Sequence, residues 1–314
     1  MTWILLIIGF ILLTVGATWL TNGSATIAKR LRISEYVIGM TIVAVGTSLP
    51  ELTVSAASTL AGNTDIAIGN VVGSNIFNVF LILGVCSLIA PILFTRDNIR
   101  RDVPICVATS LLLAVMVWNG SLSRIEGVVM LLLYVAVLWY SFRGDNNAEA
   151  TSTSEAGTEP DETSDFSWLR SGGMVVLGLC GLIYGANLTL DSAVQIARSM
   201  GVSEAIIAIT LLAGGTSLPE LAASVASMLK GHTALALGNV LGSNIANILL
   251  ILGSCSVIAP LHMSGVTMVD VAMAVAAAVA VMLSALMVGH RRIMWCEGIL
   301  YLLCYGAYVW YLVK

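Results

Sequence analysis

Apolar residues in this chain neither alternate with polar ones nor recur as one stripe of an amphipathic helix. They form long runs of roughly 16 to 26 residues, close to what a helix needs to cross a hydrocarbon core. Ten spans are predicted, at about 2–20, 36–60, 67–90, 103–118, 125–142, 172–194, 204–229, 234–259, 268–289 and 294–312. Strands of a transmembrane barrel would alternate every second residue over about ten positions, and these runs do not. The expected class is an all-α membrane protein. Composition agrees: of 314 residues, 58% are hydrophobic and 10% charged, against about 25% charged in soluble domains.

The pattern also repeats. Gly46-Thr47-Ser48-Leu49-Pro50-Glu51-Leu52 recurs letter for letter at 215–221, and Gly69-Asn70-Val71-Val72-Gly73-Ser74-Asn75 recurs, with one change, at 238–244. One offset of 169 residues aligns both blocks and also pairs Ser34 with Ser203, Glu35 with Glu204 and Pro91 with Pro260. Five spans precede an acidic stretch and five follow it. An odd number of crossings turns the second copy over, which predicts two inverted five-helix repeats, 1–142 and 171–314, joined by a linker at 143–170. The motifs proper occupy 44–78 and 213–247. Inverted repeats are a transporter architecture with the substrate site near the bilayer midplane.

Charge sets orientation. Eleven of the fourteen Lys and Arg residues fall in one alternating set of loops, leaving Arg124, Arg198 and Lys314 to the other. By the positive-inside rule both termini lie outside a cytoplasmic membrane and the linker lies in the cytoplasm. Seven of the 18 acids sit between Asp145 and Asp165 among Ser and Thr, a composition expected to stay disordered. No basic patch points to nucleic acid, and the N-terminus has no positive n-region of a cleaved signal peptide. The six cysteines all fall within spans, as small packing residues do, without the spacing of a disulfide framework or metal cluster.

Chemistry is concentrated in the repeated blocks. As a helix, span two puts Ala44, Ser48, Glu51 and Ser55 on one face with Thr47 beside them, and span seven does the same with Ala213, Ser217, Glu220, Ser224 and Thr216. Asn70, Ser74 and Asn78 share a face of span three; Asn239, Ser243 and Asn247 share one of span eight. Pro50 and Pro219 remove a helical donor each, so the carbonyls of Gly46 and Gly215 lose partners and the backbone there is expected to open. Carboxylates, hydroxyls, amides and free carbonyls are hard donors suited to Na⁺, Ca²⁺ or Mg²⁺. An ionised acid at mid-depth costs roughly 2.5–3.5 kcal/mol on insertion scales, and no span supplies a basic partner for Glu51 or Glu220.

Blander readings hold elsewhere. The Ser and Asn stripes also serve as interhelical hydrogen bonds, and Gly69/Gly73 and Gly238/Gly242 as close-approach pairs. Glu35, Glu204, Glu126 and Glu297 open helices, where capping and the helix dipole account for them. Asp65, Asp191 and Asp270 lie near interfaces, and His232, His262 and His290 fall in loops without ligand spacing. No cofactor is expected, and the oligomeric state is left open, a monomer being compatible.

Gly-Thr-Ser-Leu-Pro-Glu followed by Gly-Asn-x-x-Gly-Ser-Asn-Ile, twice in ten spans, resembles the cation/calcium exchanger superfamily, most of all its prokaryotic sodium/calcium exchangers. The resemblance covers nearly the whole chain. It implies a ten-helix antiporter, not an enzyme, with Ca²⁺ and Na⁺ as substrates. It implies that Glu51 and Glu220 bind Ca²⁺ with help from Thr47 and Thr216. Na⁺ would use the same glutamates with Ser48, Ser74, Ser217, Ser243 and the carbonyls of Ala44 and Ala213, and Asn78 and Asn247 would sit mid-cluster. Other members, the potassium-dependent ones among them, carry an aspartate where this chain has Asn247, which argues against potassium co-transport. Proton-coupled, magnesium-transporting, channel and intramembrane-protease readings remain as alternatives. The proton-coupled branch's Gly-Asn-x-x-Glu-His motif is absent.

Overall fold

The computed structural model describes residues 1–145, 168–201, 213–287 and 291–313. The acids from 149 to 165, the Ser203–Glu204 cap, His290 and Lys314 lie outside them. The described chain is helical apart from four two-residue strands. In order, the helices are α1 (Thr2–Leu31), α2 (Glu35–Thr47), α3 (Leu49–Leu60), α4 (Thr64–Ile89), α5 (Val103–Met116) and α6 (Arg124–Asp145). They continue as α7 (Trp168–Ser199), the short α8 (Ala213–Gly215), α9 (Leu218–Leu229), α10 (Thr233–Ile258), α11 (Met268–Met287) and α12 (Trp295–Val313). Among the described residues, six helices are long and apolar enough to cross a membrane, or seven if the bent pair α2 and α3 is one span.

Helices outrun the apolar windows that predict them. The run at 2–20 becomes a helix to Leu31, because its polar continuation is satisfied internally. Thr21 Oγ1 donates to Ala17 O at 2.8 Å and lies 3.1 Å from Ser227 Oγ. Lys230 Nζ donates to Asn22 Oδ1 at 2.6 Å. The linker ends are likewise helical, to Asp145 on one side and from Trp168 on the other. Expected caps are present. Ser34 Oγ accepts from Val37 N at 3.3 Å, Glu126 Oε2 from Ser123 N at 2.7 Å, and Glu297 Oε2 from Met294 N at 2.8 Å.

Contacts between the halves come in exchanged pairs. β1 (Ile92–Leu93) pairs antiparallel with β4 (Arg292–Ile293), and β2 (Ser121–Leu122) with β3 (Leu261–His262). Phe94 N donates to Arg291 O at 2.7 Å, and Met263 N to Gly120 O at 2.9 Å. A Cβ on Gly127 would meet Ser256 and Gly253, and one on Gly298 would meet Ser87 and Gly84. Helices α1 and α7 run antiparallel in contact: Gly9 against Gly185, Gly16 against Gly178, Gly23 against Ser171. Each of the first two contacts becomes the other when 169 is added to one partner and subtracted from the other. This seven-residue glycine ladder is a feature the hydropathy pattern does not reveal.

Helices α2 and α10 meet backbone to backbone. A Cβ on Gly238 would meet Tyr36 O, and one on Gly242 would meet Met40 O, both backbone atoms. Gly238/Gly242 is therefore a close-approach pair, as its spacing predicts. The corresponding segment of the second half, 202–212, lies outside the described residues.

Candidate cation site

The two proline motifs break their helices narrowly. Pro50 sits in the first turn of α3, where its missing N–H costs nothing, and Ser48 alone separates α2 from α3 at a bend of 44°. In the second half Thr216 and Ser217 separate α8 from α9, with Pro219 in the first turn. Ala44 O accepts from Ser48 N at 3.0 Å and lies 3.3 Å from Thr47 Oγ1, so it is partly engaged within its own helix. Ala213 begins α8.

Each broken helix reaches across to the other. Ser48 Oγ donates to Glu220 Oε1 at 2.9 Å, and Ser217 Oγ donates to Glu51 Oε1 at 2.9 Å while lying 3.0 Å from Ser74 Oγ. Each serine is three residues before its own helix's glutamate, so the two acids lie within roughly a helical turn or two of each other. Both are fully buried.

Asparagines brace the breaks. Asn70 Nδ2 donates to Glu51 O at 3.3 Å and Ser55 Oγ at 3.0 Å, and its Oδ1 accepts from Thr216 Oγ1 at 3.2 Å. Asn239 repeats this with Glu220 O at 3.3 Å, Ser224 Oγ at 2.9 Å and Thr47 Oγ1 at 3.2 Å. Each threonine hydroxyl thus faces an asparagine Oδ1 of the other half, and Thr47 Oγ1 also lies 3.3 Å from Ala44 O. Ser55 and Ser224, on the same helix faces as the glutamates, act as acceptors within this brace.

A second network was not read from the sequence. Asn75 Nδ2 donates to Asn244 O at 3.2 Å and Asn244 Nδ2 to Asn75 O at 3.4 Å. Asn78 Nδ2 donates to Asn244 Oδ1, and Asn247 Nδ2 to Asn75 Oδ1, each at 3.0 Å. The available signal was the repeated three-residue spacing from Asn75 to Asn78 and from Asn244 to Asn247. Asn78 lies inside the π-helical stretch Phe77–Leu83, and Asn247 opens the one at Asn247–Leu252. Such widened turns are frequent at functional sites, and no hydropathy period announces them.

This arrangement leaves a set of buried oxygens over. Glu51 Oε2, Glu220 Oε2, Asn78 Oδ1, Asn247 Oδ1 and Ser243 Oγ are all buried without a hydrogen-bond partner. An unpaired buried polar atom costs about 1–3 kcal/mol, more when charged. The first four form two pairs related by 169 residues, and all four are hard oxygens, which a cation satisfies where a donor does not. Among the described residues no three His, Cys, Asp or Glu cluster as a metal-binding group. His232 Nδ1 instead lies 2.8 Å from Glu35 Oε1, and His262 is in β3.

We expect Asn244→Ala and Asn75→Ala to act alike. Each strips a buried amide, Asn78 or Asn247, of its acceptor, at about 1–3 kcal/mol. Thermal unfolding in detergent should show both less stable, and Ca²⁺ binding should weaken in both. Unchanged midpoints and unchanged binding in both variants would mean that the network does not orient the inner amides.

A buried, duplicated set of hard oxygen acceptors inside an apolar helical protein is the equipment of an ion transporter. Residues 1–143 and 170–314 match the family described as "Sodium/calcium exchanger protein", and the chain belongs to that family, whose members are transporters and not enzymes. It is 31% identical to sodium/calcium exchanger MaX1 of Methanosarcina acetivorans, over 98% of this chain and 97% of that protein. It is 35% identical to inner membrane protein YrbG of Escherichia coli, over 82% of this chain and 79% of that protein. The fold is similar to that of the sodium-calcium exchanger NCX_Mj soaked with 2.5 mM Na⁺ and 0.1 mM Ca²⁺: TM-score 0.83, 33% identity, 96% of this chain and 95% of that one.

Proposed function

We propose that this protein exchanges Na⁺ for Ca²⁺ across the cytoplasmic membrane by alternating access, through one central site that the two ions share. The observation that carries this is the paired set of unpartnered oxygens on Glu51, Glu220, Asn78 and Asn247. Thr47, Thr216, Ser48, Ser217, Ser74 and Ser243, with the carbonyls of Ala44 and Ala213, would complete the coordination. Two ionised carboxylates give the site a charge of about −2, which one Ca²⁺ neutralises and two Na⁺ also neutralise. Because both ions need the same carboxylates they compete, and competition at one site under alternating access is antiport. A third Na⁺ would leave one positive charge and make the cycle electrogenic, at ~2.3 kcal/mol per 100 mV. An inward Na⁺ gradient would then drive Ca²⁺ out.

The exchanged contacts between 1–142 and 171–314, and the antiparallel α1 and α7, support two inverted five-helix repeats spanning the membrane ten times. In that arrangement inward-open and outward-open forms are the same structure with the halves interchanged, hence similar in energy. The charge bias places both termini outside and the 143–170 linker in the cytoplasm.

The test is uptake of radioactive Ca²⁺ into proteoliposomes loaded with Na⁺, K⁺ or at an imposed pH difference, with voltage clamped. Uptake is expected only with internal Na⁺, and stimulated by a positive interior if three Na⁺ leave per Ca²⁺. Uptake driven by a pH difference alone, or equally by K⁺, overturns the assignment of the coupling ion.

A further inference from the structure

The pairing of β1 with β4 brings two basic loops together at one end of the protein. There a cleft of about 470 Å³ opens between the turn before α5 and the end of α11, lined by Arg96, Ile99, Arg100, Ala285, Leu286 and Arg291. Among the described residues none of the three arginines forms an ion pair. The nearby acids do not serve them: Asp102 is held by Arg101 Nε at 2.7 Å and Asn98 Nδ2 at 3.0 Å, and Asp97 does not line the cleft.

The fold does not require these charges. The opposite end of the molecule is built the same way, from β2 and β3, yet residues 261–273 contain no Lys or Arg. The strand registers equate Arg291 with Gly120, whose carbonyl takes the matching bond. Both have left-handed backbones, φ 49° and φ 79°. Glycine adopts that conformation freely and arginine does not. One copy therefore uses the unstrained residue, and the other keeps an arginine against its conformational preference.

We propose that this cleft seats the phosphate of an anionic membrane lipid of the phosphatidylglycerol class. Guanidinium groups match phosphate oxygens in a planar fork. Leu286 and Leu93 lie alongside, 58% and 50% exposed, as apolar surface for the acyl chains. The lipid rests on the membrane reading above, which the basic bias extends by assigning this end to the cytoplasmic leaflet. Basic pockets between helices on that side are where anionic headgroups bind. Phosphatidylglycerol would then tie the 91–102 loop to the end of α11, outside the cation site.

Native mass spectrometry of the purified protein, titrated with phosphatidylglycerol or phosphatidylcholine, tests this. The intact chain should retain phosphatidylglycerol preferentially. At about fivefold per arginine, Arg96→Gln with Arg100→Gln should weaken it about 25-fold and Arg291→Gly about fivefold. Millimolar inorganic phosphate or glycerol 3-phosphate should not displace the lipid. Equal retention of phosphatidylcholine, or unchanged affinity in both variants, overturns the proposal. Displacement by phosphate assigns the cleft to a soluble anion and overturns it too. If the double variant fails to fold, Arg291→Gly decides, since it installs the residue that the opposite end already uses. Sodium-driven Ca²⁺ uptake in vesicles of phosphatidylcholine with phosphatidylglycerol separates the two readings: its absence from the intact protein removes the antiport reading and leaves the lipid result standing.

Discussion

Replacing Glu51 or Glu220 with glutamine should abolish Ca²⁺ uptake into Na⁺-loaded vesicles while the protein still folds. Glutamine keeps the size of the side chain and an oxygen for the Ser217 or Ser48 hydroxyl, whose 2.9 Å bonds hold the carboxylates in place. What it removes is one of the two charges facing the ion. At 4 Å and an effective dielectric constant near 20, one pair of unit charges is worth on the order of 4 kcal/mol, and a divalent ion loses more than a monovalent one. Offset by the easier burial of an uncharged amide, this still predicts a fall of at least ~100-fold in uptake. Because each carboxylate is held by the other's helix, the two variants should behave alike and the double variant should add little. Robust transport by both single variants would remove the glutamates from the ion path.

Substituting Gly242 should damage the protein as a whole. A Cβ there would lie against Met40 O and 2.5 Å from Met40 Cα, backbone atoms that cannot rotate away, and Gly238 faces Tyr36 O in the same manner. Overpacking of this kind costs about 1–3 kcal/mol, more when backbones must separate. Helix α10 carries Asn239, Ser243 and Asn247, and α2 leads into Ser48, so a shift between them also spreads the site. Gly242→Ala should lower the thermal midpoint and the rate of Ca²⁺ uptake, and Gly242→Val should prevent normal accumulation of folded protein. Gly306, with nothing within 4 Å of its would-be Cβ among the described residues, supplies the control. There alanine should be neutral or slightly stabilising, because it is the better helix former. If Gly242→Ala behaves like Gly306→Ala, the two backbones do not touch as described.

The position of the site was legible because it broke two rules at once. An acid beside a proline, within an apolar run and repeated at a fixed offset, is costly in polarity and marks a break in the helix. Only a ligand for both carboxylates makes that cost understandable. The caps at Ser34, Glu126 and Glu297 were legible because capping is local, decided within three residues. Less legible was anything that depends on which atoms meet. Asn75 and Asn244 look like further polar residues of a stripe, yet they orient Asn78 and Asn247 from across the molecule. Thr47 and Thr216 share the glutamates' helical faces, but their hydroxyls meet Asn239 and Asn70 of the other half. That the helix breaks near Pro50 was legible, but only the structure shows that the break is a 44° bend with Ser48 alone between the two segments.

By itself the sequence determined that the chain is helical and apolar, that its halves repeat, and which four helical segments carry hard oxygens. Those properties follow from composition and period, which act along the chain. Only the tertiary structure decided that Ser48 serves Glu220 and Ser217 serves Glu51, that backbone touches backbone at Gly238 and Gly242, and that two basic loops share one cleft. In each case the partners are more than 150 residues apart in sequence, and the period of a helix carries no information about which other helix its face will meet.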